Sequence, residues 1–96
     1  MDTNSKIFLV TLNRELTKSL IDSNAWRLIQ AKTTCSIQLD EFQRSELTIP
    51  KGEYQDLLEI LHDEIVATGF DKNYEKNFMG DKLDGIIGLI ERKFIE

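Results

Sequence analysis

The fold class is decided by residues 34–49, which read TCSIQLDEFQRSELTI. Apolar and polar residues alternate at both ends of this stretch, and a period of two is typical of strands with one buried face. The apolar members are Cys35, Ile37, Leu39, Leu47 and Ile49. The stretch therefore predicts two strands joined as a hairpin over residues 40–45, with Phe42 packed beneath the turn. Residues 26–31 predict a weaker third strand.

Helical periodicity follows the hairpin. Pro50 cannot donate a ladder hydrogen bond and ends the sheet. Residues 53–68 then predict a helix that Gly69 stops in the left-handed conformation. After a linker over 70–79, the apolar face of a final helix is made of Leu83, Ile86, Ile87, Ile90 and Phe94. We expect one small α+β domain over residues 1–96, with an N-terminal helix, a short antiparallel sheet and this C-terminal helical pair.

The N-terminal segment is compatible with two structures. Apolar residues recur at steps of four through Phe8, Leu12, Leu16 and Leu20. This stripe favours a helix whose start is capped by Asn4 or Ser5. The alternative is a buried strand over residues 6–12, with a helix that begins after Asn13. We expect the helix, because the stripe continues without a turn signal.

The charge of the chain excludes some classes of partner. Twelve basic and 17 acidic residues give a net charge of −5, which is the wrong sign for a generic binder of nucleic acid or acidic membranes. All of this excess lies in residues 51–96, which hold eleven acids and six bases. The longest apolar run, Ile7 to Val10, is too short to span a membrane and lacks the flanks of a signal peptide. We therefore expect a cytoplasmic protein.

The sequence argues against catalysis, because it offers few residues that could form a catalytic pair. The chain has one cysteine and one histidine, Cys35 and His62. Cys35 falls on the apolar side of its predicted strand, where a thiol is usually a small inert hydrophobe. We therefore expect no nucleophile and base pair, no enzymatic activity and no cofactor.

One loop superficially matches a calcium-binding helix-loop-helix. Its residues at positions 1, 3, 5 and 7 are Asp71, Asn73, Glu75 and Asn77. Position 6 is Lys76, where the sharp turn needs glycine, and position 12 is Lys82, where a bidentate glutamate is needed. We expect no metal site there and interpret the loop as a capped connection between two helices.

The helix predicted over 53–68 has a strongly acidic face and contains no lysine or arginine. Ile60 lies among its acids at helical spacing, outside the apolar stripe that faces the core. An apolar centre rimmed by carboxylates suits a basic partner protein, and a merely solvated face is the alternative. The predicted partner-binding residues are Asp56, Glu59, Ile60, Asp63 and Glu64.

The final helix carries two glycines on the side away from its apolar face. Inside a helix each glycine costs about 1 kcal/mol relative to alanine. Close approach by a second chain would explain them, and simple tolerance of isolated glycines is the alternative. The residues predicted for self-association are Gly85, Gly88 and Leu89.

The C-terminal stretch 70–94 reads FDKNYEKNFMGDKLDGIIGLIERKF. Its distinguishing residues are Tyr74, Glu75, Gly80, Leu83, Ile86, Ile90, Lys93 and Phe94. In this pattern it resembles the closing segment of the small immunity proteins that bacteria make against colicin-type nuclease toxins, particularly tRNA-cleaving ones. The resemblance implies a helical protein that neutralises a toxin, whereas residues 34–49 predict strands.

Charge and resemblance together suggest one function. A nuclease is basic where it holds RNA or DNA, and carboxylates presented by an inhibitor can occupy that cleft. We expect a non-enzymatic immunity or inhibitor protein whose partner is a basic toxin domain, without direct contact to nucleic acid or membrane. The alternative is a structural or regulatory adaptor that forms homo-oligomers.

Overall fold

The computed structural model describes residues 6–70 and 72–95. Three strands and four helices follow one another, with a short 3-10 turn over Lys51–Glu53. They are β1 (Ile7–Leu12), α1 (Arg14–Asp22), α2 (Asn24–Lys32), β2 (Ser36–Leu39), β3 (Ser45–Pro50), α3 (Tyr54–Thr68) and α4 (Phe78–Ile95). The α+β class is confirmed, as are the β2–β3 hairpin and the C-terminal helical pair.

The sheet has the order β1-β3-β2, and both pairs of neighbours are antiparallel. Its core-facing side contributes Val10, Leu12, Leu47 and Ile49 to the hydrophobic core. The opposite side remains open to solvent, because Ile7 and other side chains that alternate with the buried ones are exposed. An antiparallel sheet tolerates such one-sided cover.

The predicted N-terminal helix is wrong, and the alternative strand over residues 6–12 is the correct structure. A spacing of four is a multiple of the strand period and is also close to one helical turn, so Phe8 and Leu12 fit both. The turn signal is Asn13, whose side-chain oxygen accepts a hydrogen bond from the Leu16 amide at 2.8 Å and starts α1. The suggested caps Asn4 and Ser5 lie outside the described residues.

The strand predicted over residues 26–31 is also wrong, because this segment is part of α2. Ser23 joins α1 to α2: its hydroxyl donates to the Leu20 carbonyl at 2.7 Å and accepts from the Trp26 amide at 3.3 Å. The buried residues of α2 are Ala25, Trp26 and Ile29, a helical spacing that is hard to recognise in nine residues.

Phe42 is not packed beneath the hairpin turn, since 62% of it is exposed. Asp40 closes the turn by accepting hydrogen bonds from the amides of Phe42 at 2.8 Å and Arg44 at 3.0 Å. Gln43 takes a positive φ of 64° to complete it. This closure turns the ring of Phe42 outward, where the Arg44 guanidinium lies 5.2 Å from its centroid.

Gly69 ends α3, although its φ of −89° is not the left-handed conformation that was expected. Glycine is needed for close packing instead. A β-carbon on Gly69 would lie 2.7 Å from the Ile65 carbonyl oxygen and 3.0 Å from the Cα of Gly80. The Asn77 amide also donates to the Gly69 carbonyl at 2.8 Å. The two glycines therefore fix the point at which α4 returns against α3.

Three aromatic rings hold the far end of α4 against β1 and α3. Tyr54 and Phe94 stack with centroids 3.8 Å apart, and Phe8 meets Phe94 edge-on at 6.0 Å. Desolvation, together with the nearby charge of Glu91, raises the pKa of Tyr54 above its usual 10.0. This cluster fixes the C-terminal half of α4 beside the first strand.

Candidate protein-binding site

The acidic face of α3 is real, but its composition differs from the predicted one. Asp56, Glu59 and Asp63 are exposed, and they follow one another at spacings of three and four residues. Val66 continues this spacing by three residues and is 75% exposed. These four residues, here called the acidic stripe, form one solvent-facing row along the helix.

Ile60 does not form the exposed centre of this surface. It is 8% exposed and belongs to the hydrophobic core. The sequence places it away from the apolar stripe of α3, but α2 packs against this helix and covers a second side of it. Ile60 therefore lies in the floor of a shallow depression of about 300 Å³, beside Asp56, Glu59 and Asp63.

Glu64 is not a surface residue either, since it is 8% exposed. Its Oε2 accepts a hydrogen bond from the Ala25 amide at 2.9 Å, and its Oε1 accepts from the Thr68 hydroxyl at 3.2 Å. The Ala25 amide is one of the unpaired donors at the N-terminus of α2, where a negative charge also complements the helix dipole. Glu64 therefore caps a neighbouring helix and is unavailable to a partner.

Lys32 borders the acidic stripe. Lys32, the last residue of α2, lines the same depression as the three carboxylates. It is exposed, so its ammonium group remains hydrated and offsets the acidic field only in part. The surface retains an excess of negative charge along α3.

The loop after α3, for which the sequence predicts only a linker, carries exposed aromatic rings. Tyr74 is 89% exposed and has a positive φ of 63°. Phe70 is bridged to Lys76 by isolated antiparallel pairing, and both Phe70 and Phe78 are exposed. The signal in the sequence is the occurrence of aromatic residues at steps of four in a polar segment.

The structure shows the surroundings of the two residues considered for catalysis and of the possible metal ligands. Cys35 is buried in the core, and desolvation raises the pKa of its thiol even though a hydrogen bond with Thr33 acts to lower it. His62 is exposed on α3. Over residues 6–70 and 72–95, no group of three or more His, Cys, Asp or Glu side chains could hold a metal ion.

The loop that superficially matches a calcium site is a capped helix connection, as predicted. The side-chain Oδ1 of Asn77 accepts a hydrogen bond from the Gly80 amide at 2.8 Å and so caps α4, while its side-chain Nδ2 donates to the Thr68 carbonyl at 2.8 Å. Lys76 pairs with Asp84 at 2.8 Å. Asp71 lies outside the described residues.

The residues predicted for self-association have different surroundings in the structure. A β-carbon on Gly85 would lie 3.8 Å from Leu16 Cδ2, which is an ordinary contact with α1. A β-carbon on Gly88 would meet nothing within 4 Å among the described atoms. Leu89 is partly buried and packs against the core. Packing inside this chain therefore requires glycine at neither position.

Comparison with known proteins gives no relative. In the described part of the chain, no helix is long and apolar enough to cross a membrane. No protein-family model matches the chain, and neither a curated protein nor a solved structure shows significant similarity to it.

Proposed function

We propose that this protein is a non-enzymatic immunity or inhibitor protein that neutralises a bacterial toxin in the cytoplasm by binding a basic domain of the toxin. The observation that carries the proposal is the acidic stripe, in which three consecutive exposed carboxylates occupy one face of α3. The helix contains no lysine or arginine. A surface of this kind attracts a basic protein and repels an acidic one.

The chemistry suits a nuclease as the toxin. Such an enzyme must hold phosphates with lysine and arginine side chains. Asp56, Glu59 and Asp63 would meet these cations in place of the phosphates and would block the cleft. The resemblance of residues 70–94 to immunity proteins supports the same class of partner.

Apolar anchoring must come from residues other than Ile60. Val66 continues the stripe, and Tyr74 presents an almost fully exposed ring. Tyrosine is enriched at the energetic centres of protein interfaces because it buries a large area with few rotatable bonds. We assign Val66 and Tyr74 to the apolar part of the contact and the carboxylates to its rim.

The test is co-purification of the partner from the producing cell, followed by surface kinetics. Replacing Asp56 and Asp63 by lysine should slow association about tenfold or more at low salt, because charge steers the encounter. The effect should shrink above about 0.15 M salt, where the screening length is about 8 Å.

The matched control replaces Glu41 and Glu46 by lysine. Both are exposed outside α3, and the double variant has the same net charge as the first. If both double variants slow association equally, total charge matters and the acidic stripe is not the site. Unchanged association in the α3 variant, with its circular dichroism spectrum retained, contradicts the proposal.

A further inference from the structure

The first strand has a free edge. The sheet order places β1 beside β3 on one side, and no strand in the described ranges pairs with its other side. Lys51 donates its amide to the Lys6 carbonyl at 2.8 Å, which identifies this pair as hydrogen-bonded. Because such pairs alternate in an antiparallel ladder, the backbone groups of Ile7, Leu9 and Thr11 point outward at the free edge.

β1 itself carries none of the sequence features that commonly protect an edge strand. Natural edge strands are short, or carry charges, prolines or bulges that prevent pairing with another chain. β1 pairs in continuous register over six residues, IFLVTL, and contains no charge and no proline. Ile7 is 58% exposed on its outer face. The edge at β2, by comparison, has only four residues.

A groove runs beside the free edge. The C-terminal half of α4 lies next to β1, and a depression of about 230 Å³ separates them. Partly buried Leu89 supplies the apolar part of the groove, and Arg92 and Lys93 line the groove on the helix side. The strand side is formed by Leu9, Val10 and Thr11. The groove therefore joins backbone groups that no described strand pairs with, an apolar contact and two cations.

Further cations lie at the N-terminal end of β1. Lys6 precedes the strand, and the Lys51 ammonium lies 5.8 Å from the centroid of the Phe94 ring. These two residues, with Arg92 and Lys93, place four of the twelve bases near one strand in a chain of net charge −5. Among the described residues, the lining of this groove holds two cations and no carboxylate, whereas the depression beside the acidic stripe holds three carboxylates and one cation.

We propose that an extended acidic segment of a partner protein adds to β1 as a fourth strand, with its carboxylates over Arg92 and Lys93. Main-chain hydrogen bonds to Ile7, Leu9 and Thr11 would hold the segment, as in other cases of strand addition. Side chains on its helix-facing side would enter the groove against Leu89. The inference adds a second interaction surface, on elements other than α3, to the proposed function.

A second copy of this chain fits the edge less well. Two-fold pairing of β1 with itself would bring Arg92 and Lys93 of both chains to the same interface. Like charges placed opposite one another oppose association. The charges of the groove therefore favour an acidic partner over self-pairing.

The probe is a fluorescein-labelled peptide of about nine residues that alternates valine and glutamate, a length that covers the exposed edge. A peptide of valine and lysine is the charge control. We expect saturable binding of the glutamate peptide at micromolar concentration. The affinity of the lysine peptide should be lower by about tenfold or more. In NMR spectra, the amides of Ile7, Leu9 and Thr11 should become protected from exchange. Failure of the glutamate peptide to bind at millimolar concentration overturns the proposal.

Two variants test the two parts of the contact separately. Leu9→Pro removes an outward N–H without removing a bond to β3, and Leu9→Ala is its control because it keeps the N–H. Arg92→Glu with Lys93→Glu reverses the charge of the groove, and Arg27→Glu with Lys72→Glu is its control at exposed positions elsewhere. We expect Leu9→Pro and the groove variant each to weaken binding about tenfold, and the controls to retain it.

The outcomes separate the explanations. Should Leu9→Pro not fold, the charge variant and amide protection decide the result. Undiminished binding by the charge variant overturns the proposal. A dimer in light scattering that Leu9→Pro dissociates would replace the acidic segment by a second copy. A short DNA oligonucleotide that binds the groove better than the peptide would replace it by a polyanion. None of these results depends on Asp56 or Asp63, so they are distinguishable from failure of the proposed function.

Discussion

Gly80 lies so close to Gly69 that the carbonyl oxygen of Gly69 occupies the space in which a β-carbon on Gly80 would stand. This contact is backbone against backbone, so it cannot be relieved by rotation of a side chain. It sets the separation of α3 and α4 where the connecting loop begins and ends. The other two helical glycines, Gly85 and Gly88, have no such contact.

Gly80→Ala should lower the free energy of unfolding by about 2–4 kcal/mol, because the added methyl group forces the two helix ends apart. Gly85→Ala is the matched control and should raise stability by about 0.5–1 kcal/mol through helix propensity. Urea denaturation followed by circular dichroism measures both. Equal effects of the two substitutions would contradict the assignment of the close contact.

Glu64→Ala should destabilise the protein by about 1–3 kcal/mol, because the buried Ala25 amide loses its acceptor. Glu59→Ala removes a carboxylate from the same helix at an exposed position and should change stability by less than about 0.5 kcal/mol. The comparison uses thermal and chemical unfolding. If Glu59→Ala costs as much as Glu64→Ala, the cap is not the reason for the loss.

Ile60→Ala should destabilise the fold by about 2–4 kcal/mol, since the side chain is buried in the hydrophobic core. Val66→Ala should leave the unfolding free energy within about 0.5 kcal/mol but hasten dissociation of the proposed basic partner. Denaturation and surface kinetics on the same two proteins separate core from interface. Faster dissociation in Ile60→Ala alone would restore Ile60 as a direct contact.

Ionisation of the Cys35 thiol should contribute to a loss of stability at alkaline pH. Burial raises the pKa of this thiol above its ordinary 9.0, so the unfolded chain loses the proton first as the pH rises. The contribution is complete below pH 9.0 and is lost as the pH rises through the folded pKa. Cys35→Ala should flatten the pH dependence of the unfolding free energy just above this value, before Tyr54 begins to ionise. An unchanged profile would contradict the role of burial.

Self-association through α4 is tested by Gly88→Leu. The larger side chain has room in the monomer, because a β-carbon at this position meets nothing within 4 Å among the described atoms. If a second chain packs there, the substitution should convert an oligomer into a monomer. Light scattering on the unmodified protein decides the matter first: a monomer at high concentration removes the hypothesis.

The sequence predicts those elements whose pattern has a single period. β2 and β3 were recognised because only a strand alternates every second residue, and α3 because its apolar positions extend over four turns. β1 was ambiguous, because Phe8 and Leu12 are separated by four residues. Asn13 carried the information that resolves it, as the cap of α1.

The candidate site was predicted less well, for a different reason. Asp56, Glu59 and Asp63 are exposed as expected, but the roles of Ile60 and Glu64 depend on where α2 packs. Helical spacing gives the direction of a side chain and does not show which neighbour covers it. The contact from Glu64 to Ala25 spans 39 residues, a distance in sequence over which no local pattern extends.

The sheet order also has a consequence for the sequence of folding events. β2 and β3 are joined by a short turn and can pair as soon as both exist, whereas the one described neighbour of β1 is β3, which lies beyond two helices in the chain. Closing that long loop costs entropy before any ladder bond forms. We therefore expect the hairpin to form early and β1 to dock late. On this order of events, the first of the three strands to be synthesised would be the last to be incorporated into the sheet.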